Sequence, residues 1–246
     1  MLKTLVLQSH RQPLVLEWIR RCVDSVKSWS VLNKYEYMCI GDELFDYVSD
    51  EVLDKTKNQK VIATDLARLK ALQDYLHKDY ERVVWCDADF LIFSPCEFNL
   101  PDKSYAVGRE VWIQNANKSS NKLTAHIKVH NAFMMFNKGN SFLDFYTDTA
   151  EHLLMGNQGS MPPQFIGPKL LTAIHNIAQC PVLESAGMLS PQVIKDIANG
   201  GGPALALFTQ KTSQPIAAAN LCNSLFGQRE YSINTVMKCI DALQAD

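Results

Sequence analysis

The chain has 246 residues, 47% of them hydrophobic and 20% charged. That length and balance allow one large α/β domain or two small ones, one over residues 1–246 being preferred, and exclude a disordered chain. A formal net charge of -2 offers no general attraction to nucleic acid, so no such partner is expected.

Seven cysteines, an odd number with no C-x-x-C pair, read as reduced thiols of a cytoplasmic protein. The opening MLKTLVLQSH carries only a short apolar run, so neither a signal peptide nor a transmembrane segment is expected.

Residues 4–7 (TLVL) read as a first strand. A helix follows from about Pro13, with Val15, Trp18, Ile19, Cys22, Val23, Val26 and Trp29 at helical spacing. YEYMCIGD (35–42) reads as a second strand, and 43–58 as short surface helices. VIA (61–63) reads as a third strand, with Thr64 as the N-cap of a helix that carries Leu66, Leu69, Leu72 and Leu76. RVVWCDADFLIF (82–93) is then a buried strand. This alternation predicts a mostly parallel sheet with helices on both faces, whose ligands bind beyond the carboxyl ends of the strands.

YAVGREVWI (105–113) and HNAFMMFN (130–137) read as strands separated by a polar loop, NANKSSNK, expected to be mobile. Next come a helix with Phe142, Phe145, Tyr146, Thr149 and Leu153, a Pro- and Gly-rich loop over 156–168, and a helix with Pro168 in its first turn. NGGGP (199–203) reads as a flexible loop with no helix after it, and a last helix carries Ile233, Val236, Met237 and Ile240.

Within 82–93, two carboxylates interrupt an apolar run. Burying unpaired charge is costly, so Asp87 and Asp89 need a partner. In a continuous strand their side chains project to one face, and two carboxylates at one point suit a hard cation such as Mn²⁺ or Mg²⁺. The alternative is a strand that ends at Cys86 and two acids that face water at a turn. The chain holds no G-x-x-x-x-G-K-[ST], no G-x-G-x-x-G after the first strand, no H-E-x-x-H and no Ser or Cys nucleophile signature.

TDLARLKALQDYL followed by VVWCDADFLIF resembles the glycosyltransferases with a DXD-bearing sugar-binding region, which include capsular polysaccharide, mannosyl and α-1,4-glycosyl transferases and, more remotely, the clostridial glucosylating toxins. LVLQSHRQPLVLEWIRRCVDSVKSW, HNAFMMFNKGNSFLDFY and IGPKLLT resemble further segments of that family, and the likeness covers most of residues 4–175. It implies a GT-A fold and a retaining, metal-dependent hexosyl transfer from a nucleotide-diphospho-sugar, a UDP-sugar before a GDP-sugar, to a glycan or other hydroxyl acceptor.

By position, the resemblance implies that Asp87 and Asp89 bind the metal and that Asp65, Arg68 and Asp87 contact the donor's sugar and phosphate. It further implies that Gln8, Ser9 and His10 line the nucleoside pocket and that Gly167 and Pro168 lie beside the sugar. Arg68, Asp87 and Asn131 are the implied catalytic residues. The chain departs from the family at HKDYER, where many relatives have Gly-Gly, and at AANLCNSLF, where Asn220 stands for a His near the metal and Phe226 for a Trp. Asn220 is thereby implied as a weak third ligand. The alternatives left open are a catalytically inactive nucleotide-sugar-binding protein on the same fold, and a nucleotidyltransferase.

Overall fold

The computed structural model describes residues 2–117, 122–225 and 232–245. Four residues of the polar loop (118–121), which bear on its expected mobility, and Phe226 lie outside the described residues.

The chain runs β1 (Thr4–Ser9), α1 (Glu17–Leu32), β2 (Glu36–Ile40), a 3-10 turn, α2 (Asp50–Thr56) and α3 (Lys60–His77). Next come β3 (Arg82–Cys86), β4 (Phe90–Ile92), β5 (Tyr105–Asn115), β6 (Leu123–Asn137), α4 (Ser141–Gly156) and α5 (Pro168–Ala178). The remainder is β7 (Val182–Leu183), β8 (Ala186–Met188), α6 (Pro191–Ala198), α7 (Pro203–Lys211), β9 (Ala218–Asn220) and α8 (Ile233–Leu243). Among the described residues no helix is long and apolar enough to cross a membrane.

The main sheet has the order β2-β1-β3-β6-β5-β7. β1 pairs in parallel with β2 and β3, and β5 with β7, while β6 runs antiparallel to both β3 and β5. The mixed α/β fold with a mostly parallel sheet is therefore as expected. Alternation along the strands fills both faces. Leu5, Leu7, Val83 and Trp85 pack with α3 and α4, whereas Val6, Val84 and Cys86 pack with Val26 and Trp29 of α1. Both faces of the central strands are thus dry, as a covered sheet requires.

VIA is not a strand. Ile62 and Ala63 are buried in the first turns of α3, and Thr64 sits inside that helix with its hydroxyl donating to the Lys60 carbonyl. A three-residue apolar run is too short to set a period. Ile62 continues the spacing of Leu66, Leu69, Leu72 and Leu76, so packing of the helix face overrides a weak β preference.

RVVWCDADFLIF is not one strand either. β3 ends at Cys86, and a turn closed by the Phe90 amide on the Asp87 carbonyl, at 3.0 Å, redirects the chain. β4 then joins a separate three-stranded sheet, β4-β9-β8. NGGGP does precede a helix. Asp196 accepts from the Ala204 and Leu205 amides at 2.7 and 3.0 Å and caps the start of α7, a signal that lies eight residues upstream and escapes local inspection.

Beyond the end of β3, β5 and β6 continue as a hairpin. The last β3–β6 pair is Cys86 with Phe133, whereas β5–β6 pairing runs on from Gly108–His130 to Asn115–Leu123. A bulge between Val107 and Gly108 starts this overhang. Gly108 is required there, because a Cβ would lie 2.1 Å from the His130 ring. That buried imidazole accepts from the Ala132 amide at Nδ1 and donates from Nε2 to the Ala186 carbonyl, 3.2 Å in each case. Burial lowers its pKa to about 4, so His130 is a neutral structural pin.

Candidate functional site

At the carboxyl ends of β1 and β3, roofed by the hairpin, lies a cavity of about 590 Å³. Ser9, His10, Asp65, Arg68, Asp87, Asp89, Asn131, Pro168 and Asn220 all line it. The sheet gathers them: Ser9 ends β1 and His10 follows it, the two acids follow β3, and α3 carries Asp65 and Arg68 one turn apart.

Arg68 is the hub on one side. Its guanidinium lies 3.3 Å from Asp65 Oδ1 and 2.9 Å from Asp87 Oδ1, donates to the Asn131 carbonyl at 3.1 Å, and sits over the Trp85 ring. Burial works against its charge, but Asp87 and Asp65 outweigh that and hold its pKa above the ordinary value. Asp65 also accepts from Asn131 Nδ2 at 2.9 Å. Burial raises the Asp65 pKa to about 6 against the pull of Arg68 and Asn131. Its Oδ2 is buried with no hydrogen-bond partner among the described residues.

Asp87 accepts from Arg68 and, at 2.6 Å, from the Trp85 indole, both on Oδ1. Its carbonyl receives the Gln8 amide, and Gln8 in turn accepts from the Tyr37 hydroxyl.

Asp89 is held from the C-terminal segment. Asn220 Nδ2 donates to Oδ1 and the Asn223 amide donates to Oδ2, both at 2.6 Å. Burial first, and the like charge of Asp87 second, raise its pKa to about 6. The Asn220 oxygen accepts from the Cys222 amide at 2.8 Å, so Asn220 presents its NH₂ to Asp89 and commits its oxygen to the backbone.

Three site expectations change accordingly. Gln8 is fully buried and does not line the cavity; it anchors the turn that carries Asp87. Asn220 acts as a clamp on Asp89 in this structure. Gly167 also stands off the cavity, packed against Asp65 so closely that a Cβ would fall 2.3 Å from Oδ2.

Several lining residues escaped the sequence reading. Trp85 reads there as an ordinary core tryptophan. Glu110, Trp112, Gln114, His126 and Lys128 come from the hairpin; the strands read over 105–113 and 130–137 include the first two without marking them as site residues and leave out the other three. A signal was present: Thr124, His126 and Lys128 alternate with Ala125, Ile127 and Val129 at a strand's period.

Both acids offer hard oxygen ligands, and each carboxylate oxygen retains acceptor capacity beyond the one or two bonds described. Among the described residues no three His, Cys, Asp or Glu side chains converge to hold a metal. Two protein ligands would leave the rest of a cation's shell to water and a phosphorylated substrate, the habit of Mg²⁺ and its relatives.

No family model matches the chain, and no curated protein matches its sequence. Among solved structures it is similar to a glycosyltransferase involved in glycosylation of the major capsid of PBCV-1, at 10% identity over 99% of this chain and 100% of that one, with a TM-score of 0.49. It is also similar to mouse xyloside xylosyltransferase 1 in its apo form, at 8% identity over 90% and 98%, TM-score 0.44. The galactosyltransferase LgtC with donor and acceptor sugar analogs is similar at 12% identity over 97% and 95%, TM-score 0.44. These likenesses are loose, and the chemistry of the cavity rests on its own residues.

Proposed function

We propose that this chain is a glycosyltransferase of the DXD class, acting as one cytoplasmic GT-A-like domain over residues 1–246. It moves a hexosyl group from a nucleotide-diphospho-sugar, a UDP-sugar before a GDP-sugar, to a glycan hydroxyl with retention of configuration, and it uses Mn²⁺ or Mg²⁺. The observation that carries this reading is the turn at the end of β3, where Asp87 and Asp89 face one cavity with Arg68 behind them.

A cation held at this turn supplies positive charge to the diphosphate as it departs. Asp87 and Asp89 are its protein ligands. Asn220 and the Asn223 amide fix Asp89, and Arg68, Trp85 and Gln8 fix Asp87. Asn131 and Arg68 position Asp65 in the wall beside the donor. Ser9 and His10 bound the nucleoside, and Pro168 sets the wall beside the sugar, with Gly167 behind Asp65. The acceptor hydroxyl attacks the face from which the phosphate leaves and gives that phosphate its proton.

One observation favours a second reading, an inactive nucleotide-sugar binder: both oxygens of Asp89 and one of Asp87 already have protein partners. Release of nucleoside diphosphate from UDP- and GDP-hexoses with Mn²⁺ separates the two. The transferase reading expects metal-dependent release that Asp89→Ala abolishes, and release that survives this substitution refutes the assignment. A binder saturates without turnover, and a nucleotidyltransferase releases pyrophosphate from a nucleoside triphosphate instead.

A further inference from the structure

The overhanging hairpin is two-faced. Val111 and Ile113 are buried against α6, α7 and α8, while Glu110, Trp112 and Gln114 turn to the cavity. Register pairs these three with Lys128, His126 and Thr124 on β6. One wall therefore combines an indole with a carboxylate, an ammonium, an amide, an imidazole and a hydroxyl.

The elements of this wall are fixed. Trp112 Nε1 donates to Gln114 Oε1 at 3.2 Å, and His126 Nε2 lies 3.3 Å from Gln114 Nε2. Glu110 is nearly buried and its carboxylate lies 4.0 Å from Lys128 Nζ, so the wall carries no net charge at that end.

Strand order places this wall relative to the donor. From β1, which ends at Ser9, the sheet passes through β3 and β6 to reach β5, about 14 Å at the usual strand spacing. A nucleoside diphosphate that runs from Ser9 and His10 to the two acids directs its sugar toward the hairpin. What lies beyond that sugar is the second substrate.

We propose that the cavity face of the β5–β6 hairpin is the acceptor subsite and that it takes a neutral pyranoside, its C–H face on Trp112 and its hydroxyls shared among Glu110, Gln114, His126 and Lys128. An amphipathic ring flanked by donors and acceptors matches a pyranose, which offers an apolar face and a polar rim. The Glu110–Lys128 pairing disfavours an anionic sugar. This role rests on the glycosyl-transfer reading; the binding itself does not.

The chain contains its own reporter. Of its four tryptophans, Trp18, Trp29 and Trp85 are at most 1% exposed and Trp112 is the one partly open to solvent. Acrylamide quenching of tryptophan emission therefore reads Trp112. The probes are methyl α- and β-pyranosides of glucose, galactose, mannose and N-acetylglucosamine, with UDP and GDP as comparisons.

At least one methyl pyranoside is expected to shield Trp112. Glu110→Gln, close to isosteric, should then raise that Kd about tenfold. No shielding by any pyranoside, equal shielding by UDP or GDP, or an unchanged Kd in Glu110→Gln overturns the subsite. Shielding in a protein that never turns over a donor sustains the subsite and fails only the transfer reading. Turnover without shielding does the reverse.

Discussion

Asn220 reaches across 131 residues of chain to donate its amide to Asp89 Oδ1 at 2.6 Å. The pair links a short strand near the C-terminus to the turn after β3, and it decides which way the second acid faces. Hydrogen bonds to a charged group contribute about 1.5–3 kcal/mol. Asn220→Ala is therefore expected to weaken Mn²⁺-dependent UDP binding about tenfold or more. Calorimetry with and without the metal measures this, and unchanged metal-dependent affinity would contradict the clamp.

Arg68 faces two carboxylates with side-chain exposure of only 6%, against 4% for Asp65. Arg68→Met strands Asp65 in the interior, a loss of about 3–5 kcal/mol for a buried pair broken from one side. Urea unfolding should show this drop, and Asp65→Asn added to Arg68→Met should recover part of it. Equal stability of the single and double variants would mean that Asp65 does not bear the cost.

Gly167 has φ of -87°, so alanine there meets no backbone strain. The obstacle is the Asp65 carboxylate, 2.3 Å from where the Cβ would stand. Gly167→Ala should destabilise the fold by about 1–3 kcal/mol, as overpacking does, and displace Asp65 from Asn131. A crystal structure of the variant with the Asp65–Asn131 bond intact would defeat this explanation.

Asp65 and Asp89 both have folded-state pKa values raised from 3.8 to about 6, chiefly by burial. A raised carboxyl pKa means that the native state holds its proton more tightly than the unfolded chain does. The resulting stability is complete below pH about 4 and fades as pH climbs to about 6. Without a divalent cation, these two groups should make the melting temperature fall over that window. If Asp89 is a ligand, Mn²⁺ must displace its proton, so metal affinity should rise over the same interval. A flat affinity between pH 5 and 7 would remove Asp89 from the ligand set.

Much of the α/β plan was legible because periodicity is a local property. The helix around Trp18 to Trp29 and the strands at β1, β2 and β3 follow directly from spacing. The turn at Asp87 was not legible, because Cys86 and Phe90 are equally apolar and only pairing with β6 on one side and β9 on the other separates them. Three residues, Val61 to Ala63, are likewise too few for strand to be told from helix. At the site, residue types identified the acids, but the posture of Gln8 and Asn220 depends on partners 79 and 131 residues away. The hairpin wall was half-visible in its alternation, and its contribution to the cavity required the sheet order.

The hold on Asp89 also sets a timetable. β9 and the Asn223 amide leave the ribosome long after β1, β3 and α3 are able to pair and pack. Until then Asp89 lacks both of its anchors, and a nascent chain carries Ser9, His10 and Asp87 without a fixed second acid. Fixing of the second acid is thereby deferred until residues 218–223 are made, so a polypeptide released short of residue 218 would keep most of its main sheet and none of that hold.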